Sequence, residues 1–373
     1  MTATKMNFQS RNIEPGRRIL VTCDLHGHKN LLQKLLSDAD FSDNDLLIII
    51  GDIIDKGYDS LGTIRYVMEL TKRGNVIPLM GNVDLSRVEM ITSLSESTAD
   101  DFLDYLEETR SWTGSIWDEL TAEFGVKCET TEDLLSCRDK VLERFEPELK
   151  FLSSLPTALG TQNYVFVHGG LRDKIIADNK KRAPMELLKY DNFYAKAPGF
   201  DKYIVVGHYP VTLYSDKVCD CTPRIDHERK IIALDGGCGI KEFGQLNLMI
   251  IPDIDSPLDD LKFLAVDDLP KVKALDSQTG STDHINIRWI DRRIETLGHH
   301  DGYRMIRHLP TGHECLIPDD YVYDDEHAAD YSDYILPVTE GEILSLVAPT
   351  PLGYIVKKNG VIGIYKGKIT HET

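Results

Sequence analysis

Five short apolar runs, each ending abruptly in Asp, Asn, His or Gly, constrain this chain more than any other feature. "RILVTC" (Arg18–Cys23) meets Asp24, "LLIII" (Leu46–Ile50) meets Gly51-Asp52, and "NVIPLM" meets Gly81-Asn82. "NYVFV" (Asn163–Val167) meets His168, and "YIVV" (Tyr203–Val206) meets Gly207-His208. Runs of four to six aliphatic or β-branched residues read as strands buried on both faces. "NLLQKLLSDA" and "SLGTIRYVMELTKRG", with apolar residues at helical spacing, follow the first two runs. Strand–helix alternation predicts an α/β fold whose strand ends share one edge, where ligands bind. Polar residues at five such ends are too regular for core packing. They collect Asp24, His26, Asp52, Asn82, His168 and His208, a mixed nitrogen and oxygen donor set without thiolate. That chemistry suits Mn, Fe or Zn better than Ca or Mg. A pair of such ions needs a bridging carboxylate, and Asp52 is the candidate.

Other segments differ in texture. Between 86 and 155, "RVEMITSL", "ADDFLDYLEE", "SIWDELTAEFG" and "EDLLSCRDKVLERF" predict an α-helical insertion, a cap beside the site. This places a first domain at 1–253. A polar, proline-broken stretch at 254–283 reads as a linker. From 284 to 373, short alternating strands and the turn signal "KKNG" (Lys357–Gly360) predict a small all-β barrel, a peptide-binding module or a packing element.

Composition narrows the partners. Forty-two basic against 61 acidic residues give a net charge of −19, which repels nucleic acid and anionic lipid. The acidic stretch "PDDYVYDDEHAADYSD" reads as a solvated loop. No apolar stretch approaches the roughly 18 residues of a membrane span. The first residues hold no secretory apolar core, so a cytoplasmic protein is expected. The seven cysteines form no paired CxxC set, and Cys219 and Cys221 are their one close pair. Most of them read as buried or idle thiols in a reducing compartment. His299, His300 and His308 read as surface residues of the barrel.

In order, the polar strand ends are "CDLHGH", "IGDIIDKG", "MGNVD", "FVHGG" and "VGHYP". This series resembles the motifs of the calcineurin-like metallophosphoesterases, most of all the phosphoprotein phosphatase branch with its diadenosine tetraphosphatase-like enzymes. The resemblance runs from about Arg18 to Ile251 and includes "ELKFLSSLP" and "IIALDGGCGI". It implies a two-sheet αββα sandwich carrying two divalent metal ions. Asp24, His26 and Asp52 would hold the first metal, and Asp52, Asn82, His168 and His208 the second. The ions would bind phosphate and activate a hydroxide for in-line attack.

Two positions depart from the family pattern. Val83 stands where the family's GNHE motif has a proton-donating histidine, and Lys56 where it has arginine. Asp55, which in the family orients that histidine, and the acidic residue Asp84 remain. His28 is a candidate replacement acid. Arg172 and Tyr209 are candidate substrate contacts beside Lys56, and Lys174, Lys189 and Lys196 are lesser ones. A positioned general acid is worth roughly 10²–10⁴ in rate, so its loss weakens catalysis without removing the metal chemistry. The resulting expectation is hydrolysis of phosphotyrosine-like protein substrates, aryl phosphates or phosphoanhydrides, small phosphate esters included. The alternative is a pseudo-phosphatase that binds metal and a phosphorylated partner.

Overall fold

The computed structural model describes residues 5–110 and 114–371. Residues 111–113, inside the predicted helical insertion, and the first four residues of the chain lie outside it. The chain divides into two compact units. One comprises Met1–Tyr209, Pro223–Lys241 and Leu246–Val266; the other comprises Pro210–Thr222, Glu242–Gln245 and Asp267–Thr373.

The first unit holds two sheets. In the five-stranded sheet the order is Lys262–Val266, Leu246–Ile251, Ile19–Cys23, Leu46–Ile50, Val76–Leu79, with the last three parallel. The six-stranded sheet runs Phe8–Ser10, Ala158–Gly160, Tyr164–Val167, Tyr203–Val206, Ile231–Ala233, Arg224–Asp226. Side chains alternate across each strand. Ile19, Val21, Ile48 and Ile50 therefore face the second sheet, packing with Tyr164, Phe166, Val205 and Ile232. Leu20, Leu47 and Ile49 face helices Lys29–Asp38 and Ser60–Thr71 on the other side. The five polar strand ends thus belong to two sheets, three to one and two to the other. The two sheets are those that the resemblance implies; strand–helix alternation alone, read as one sheet edge, does not separate them, because fully buried parallel strands look alike whichever sheet they join.

The insertion is helical, as expected, but begins earlier. Helix Asn82–Ser93 starts at a candidate ligand, and Ala99–Arg110, Ile116–Ala122, Thr131–Arg144 and Glu146–Ser154 follow. Phe102, Trp117, Leu134 and Phe145 join Leu32 and Leu61 in one apolar cluster, so the insertion is part of the core. Glu119 ties it down further: its carboxylate accepts the N–H groups of Ser60 and Leu61, each at 2.8 Å, at the start of helix Ser60–Thr71.

The second unit is antiparallel. A five-stranded sheet runs Val361–Tyr365, Gly353–Lys358, Ile343–Thr350, Lys271–Ala274, Ile369–His371; a three-stranded sheet comprises Ile294–His300, Tyr303–His308 and Glu314–Pro318. Among the described residues no ladder joins the edges of these sheets, so what is seen is antiparallel sheet without barrel closure. The turn at Lys357–Gly360 is present, with Asn359 and Gly360 at φ +50° and +85° as a tight hairpin requires. The stretch 254–283 is more than a linker: it supplies Lys262–Val266 to the first unit and Lys271–Ala274 to the second.

Two further expectations change, and that for the cysteines does not. His308 is fully buried, its ring bonded to Thr311 Oγ1 at 2.9 Å and to the Asp291 carbonyl, whereas His299 and His300 are exposed. The acidic stretch folds into the hairpin Val322–Asp324 with His327–Ala328, and Arg304 pairs with Asp319 and Asp325. All seven cysteines are buried and free; Cys219 and Cys221 sit in the apolar cluster of the second unit with Ile285 and Ile364. Among the described residues no helix is long and apolar enough to cross a membrane.

Candidate metal centre

The strand ends turn so sharply that several donors leave ordinary backbone space. Asp24, His26, Asp52 and His208 have φ of +53°, +42°, +49° and +68°. Such conformations cost a non-glycine residue on the order of 1–3 kcal/mol each and persist where surrounding structure enforces them. Gly51 and Gly81 let two of these turns touch. A Cβ on Gly81 would lie 2.0 Å from the Asp52 nitrogen, and one on Gly51 would lie 2.5 Å from the Gly81 Cα.

Around Asp52 the donors converge. His168 Nε2 lies 3.0 Å from Asn82 Oδ1, 3.4 Å from Asp52 Oδ1 and 4.0 Å from Asp24 Oδ1. His26 Nε2 is 3.7 Å from Asp52 Oδ2. The His168 and His26 rings are oriented from behind by Nδ1 contacts to the carbonyls of Ile50 (2.9 Å) and Ile54 (3.3 Å). His208 Nε2 is held at 2.8 Å by Asp191, which leaves its other nitrogen for the cluster. Carboxylates and carbonyls behind a ring are how metal-binding histidines are aimed. Two groups of ligand spacing result, Asp24–His26–Asp52 and Asp52–His168–His208, sharing Asp52. All six predicted donors are therefore brought together.

The electrostatics of the cluster fit a cation. Burial alone would raise Asp52, but His168, His26 and Lys56 outweigh it and hold this carboxyl below the usual range. Asp24 rises well above that range through burial and the neighbouring Asp235. His26 falls to about 3, through burial and then the Lys56 charge. His168 rises to about 10, because Asp52 and Asp24 override its burial. The buried carboxylates demand positive charge at their centre, and His26 Nε2 is buried without a hydrogen-bond partner. A divalent cation would meet both demands, so the residues present fit a metal pair.

The predicted catalytic and substrate residues scatter. Asp84 is fully buried, and its carboxylate accepts the N–H groups of Ile53 and Gly81, each at 2.9 Å. It clamps two site loops and holds no free edge for a reacting group; burial and then Asp52 push it up to about 7. Asp55 is taken up by the insertion: its oxygens accept from Ile116 N (2.7 Å), the Tyr105 hydroxyl and Arg87 Nε. The Arg87 guanidinium in turn stacks 3.8 Å from the Tyr105 ring centre. Val83 is buried among apolar side chains, and its N–H donates to Asp52 Oδ1 at 2.9 Å.

Lys56 is half-buried, and its charge reaches both His26 and Asp52. His28 caps helix Lys29–Asp38, its Nδ1 2.6 Å from the His26 carbonyl and its ring edge-on to the exposed Tyr58. Arg172 bonds the carbonyls of Glu186 (2.7 Å) and Lys189 (2.9 Å) and lies over Tyr190, a structural use in place of the expected substrate contact. Tyr209 is half-buried beside His208 in sequence, Lys174 and Lys189 are exposed, and Lys196 reaches the Asp191 carbonyl at 3.3 Å. Asp191, Arg87 and Tyr105 were not legible as site residues, since none belongs to a motif. Asp235, in "ALDGGC", carried a visible signal; burial pushes it up to about 6.

The calcineurin-like phosphoesterase family model matches residues 17–232, more than half of the chain. A symmetrical bis(5'-nucleosyl)-tetraphosphatase of Photorhabdus laumondii is 27% identical over 225 residues, covering 50% of this chain and 80% of that protein. The Buchnera aphidicola enzyme of the same name is 35% identical over 82 residues, 22% of this chain and 29% of its own length. Among solved structures, a Saccharomyces cerevisiae serine/threonine phosphatase aligns with a TM-score of 0.45 at 16% identity, covering 72% of this chain and 85% of that one. A cold-active protein-tyrosine phosphatase of Shewanella aligns at 0.42 and 15% identity, covering 66% and 78%. With the ordered donor set and the family match through residue 232, the chain belongs to the calcineurin-like phosphoesterase family of hydrolases.

Proposed function

We propose that this chain hydrolyses phosphate esters or anhydrides whose leaving oxygen departs without being protonated: aryl phosphates, phosphotyrosine-like side chains and phosphoanhydrides. The observation that carries the reading is the fate of position 83. Its side chain is an apolar core group, and Asp55, which would orient an imidazole there, is engaged by Arg87, Tyr105 and Ile116. Bound among Asp24, His26, Asp52, Asn82, His168 and His208, a pair of Mn, Fe or Zn ions would supply Lewis acidity and a nucleophile at neutral pH. Lys56 adds a point charge toward phosphoryl oxygens, without the two-pronged grip of an arginine. The Val83 N–H and the Asp84 clamp hold Asp52 and its turn in place. Position 83 gives the leaving group no proton. Retention of all six donors, four of them in costly backbone conformations, favours a hydrolase over a protein that merely binds a phosphorylated partner.

The test is a series of aryl and alkyl phosphates of graded leaving-group pKa, assayed with Mn²⁺. The expected result is a steep fall in kcat/KM as the leaving group becomes more basic, with phosphoserine peptides among the slowest. A flat series would contradict the reading, as would faster turnover of phosphoserine. His28→Ala separates the remaining candidate acid: the slope stays steep and unchanged if His28 donates no proton.

A further inference from the structure

The second unit contains a cluster of a different chemistry, independent of the phosphoesterase site. His313 and Cys315 flank Glu314 at the start of strand Glu314–Pro318. The two-residue period of extended chain puts both side chains on one face. Ile317, next on that face, is fully buried, so the face is the inner one. Asp333, just past strand Tyr331–Ser332, brings a carboxylate to the same place. Its Oδ1 accepts the Ile285 N–H at 2.7 Å, which fixes the group, and its Oδ2 lies 2.8 Å from His313 Nε2. One donor atom from each of His313, Cys315 and Asp333 lies within 4.8 Å of the others.

On the far side of the imidazole, Asp283 Oδ1 stands 3.7 Å from His313 Nδ1. That carboxylate is exposed and beyond hydrogen-bond distance, so the ring is fixed chiefly by Asp333. Cys315 is 6% exposed, sealed by the apolar cluster around Ile285, Ile306 and Tyr331. Burial and then Asp333 push its thiol up.

We infer that His313, Cys315 and Asp333 bind one borderline divalent cation, with Zn²⁺ the best match. A sulfur, nitrogen and oxygen donor set is foreign to Ca²⁺ and Mg²⁺ and usual for Zn²⁺. Three protein donors leave one position of a tetrahedron to water or to a further side chain. The site joins the segment at 313–315 to the one at 333, which neighbour in space and not in sequence.

Co²⁺ titration of the full chain tests this, because Co²⁺ held by a thiolate gives a near-ultraviolet sulfur-to-metal charge-transfer band. The six donors of the phosphoesterase site contain no sulfur and cannot give it. The expected result is a saturable band that Zn²⁺ bleaches and Cys315→Ser abolishes, with aryl phosphatase turnover unchanged in that variant. No band in the unaltered chain would overturn the inference, as would a band that survives Cys315→Ser. Should Cys315→Ser fail to fold, His313→Asn keeps the thiol and the core; the inference requires weaker Co²⁺ binding there, and unchanged affinity overturns it. A His313–Asp333 ion pair beside an inert thiol would produce these negative results.

Discussion

Asp55 shows how a single replaced side chain rearranges its neighbours. In the resembled motif the aspartate orients an imidazole at the position now held by Val83; here it serves Arg87, one helical turn further along helix Asn82–Ser93, and Tyr105. Two outcomes follow from that arrangement. Arg87→Ala leaves a fully buried carboxylate short of its counter-charge and should cost about 3 kcal/mol in a denaturant titration. Val83→His alone should raise alkyl phosphate turnover by less than about tenfold, far below the 10²–10⁴ of a positioned acid, because Asp55 is already engaged. A gain of about a hundredfold would mean that Asp55 exchanges partners readily. The six candidate metal donors were legible because each follows a strand inside a recurring motif. Asp191 was not, although it holds His208 at 2.8 Å, because a solvent-exposed aspartate 17 positions away carries no local signature. Asp84 lies within a motif, but its carboxylate serves the backbone, a use the motif does not announce.

At the level of elements, buried aliphatic runs announced the strands, and helical spacing announced the insertion. Which sheet each strand joins was hidden, since Leu46–Ile50 and Tyr203–Val206 are equally apolar and differ only in their neighbours. The insertion's role was hidden too. It reads as a cap beside the site in sequence, yet Trp117 and Phe145 are fully buried, and Glu119 accepts the Ser60 and Leu61 N–H groups next to Asp59, the N-cap of helix Ser60–Thr71. Glu119→Ala removes acceptors from two backbone N–H groups and should cost about 1–2 kcal/mol, read from the midpoint of chemical unfolding. An unchanged midpoint would assign that capping to solvent. In the second unit, hairpin spacing revealed strands and turns but not how the sheets end, because closure depends on pairings between residues distant in sequence.

At the scale of the whole molecule, the predicted boundaries at 253 and 284 miss the way the chain is shared. Segments Pro210–Thr222 and Glu242–Gln245 belong to the second unit, interrupting the first. Asp267, at the head of the longest segment of that unit, pairs with the buried Lys357 at 2.9 Å and with Lys271 at 2.6 Å. Burial would raise its pKa, but Lys357 and then Lys271 outweigh burial and lower it. A carboxyl lowered on folding stabilises above its unfolded value, about 3.9, and that contribution is lost as pH falls through the folded value. Asp267→Asn should therefore lower the melting temperature at neutral pH and flatten its decline below about pH 4. A melting curve with the same acid limb as the unaltered chain would contradict this.

Six side chains from two sheets are spaced to hold a pair of cations through a shared Asp52. Metal stoichiometry tests it most directly, measured in a Cys315→Ser background so that only donors without sulfur are counted. The prediction is two equivalents of Mn²⁺ or Zn²⁺ per chain, with both lost or greatly weakened in Asp52→Asn. Two equivalents retained by Asp52→Asn would contradict the account, as would no uptake by the chain that keeps Asp52.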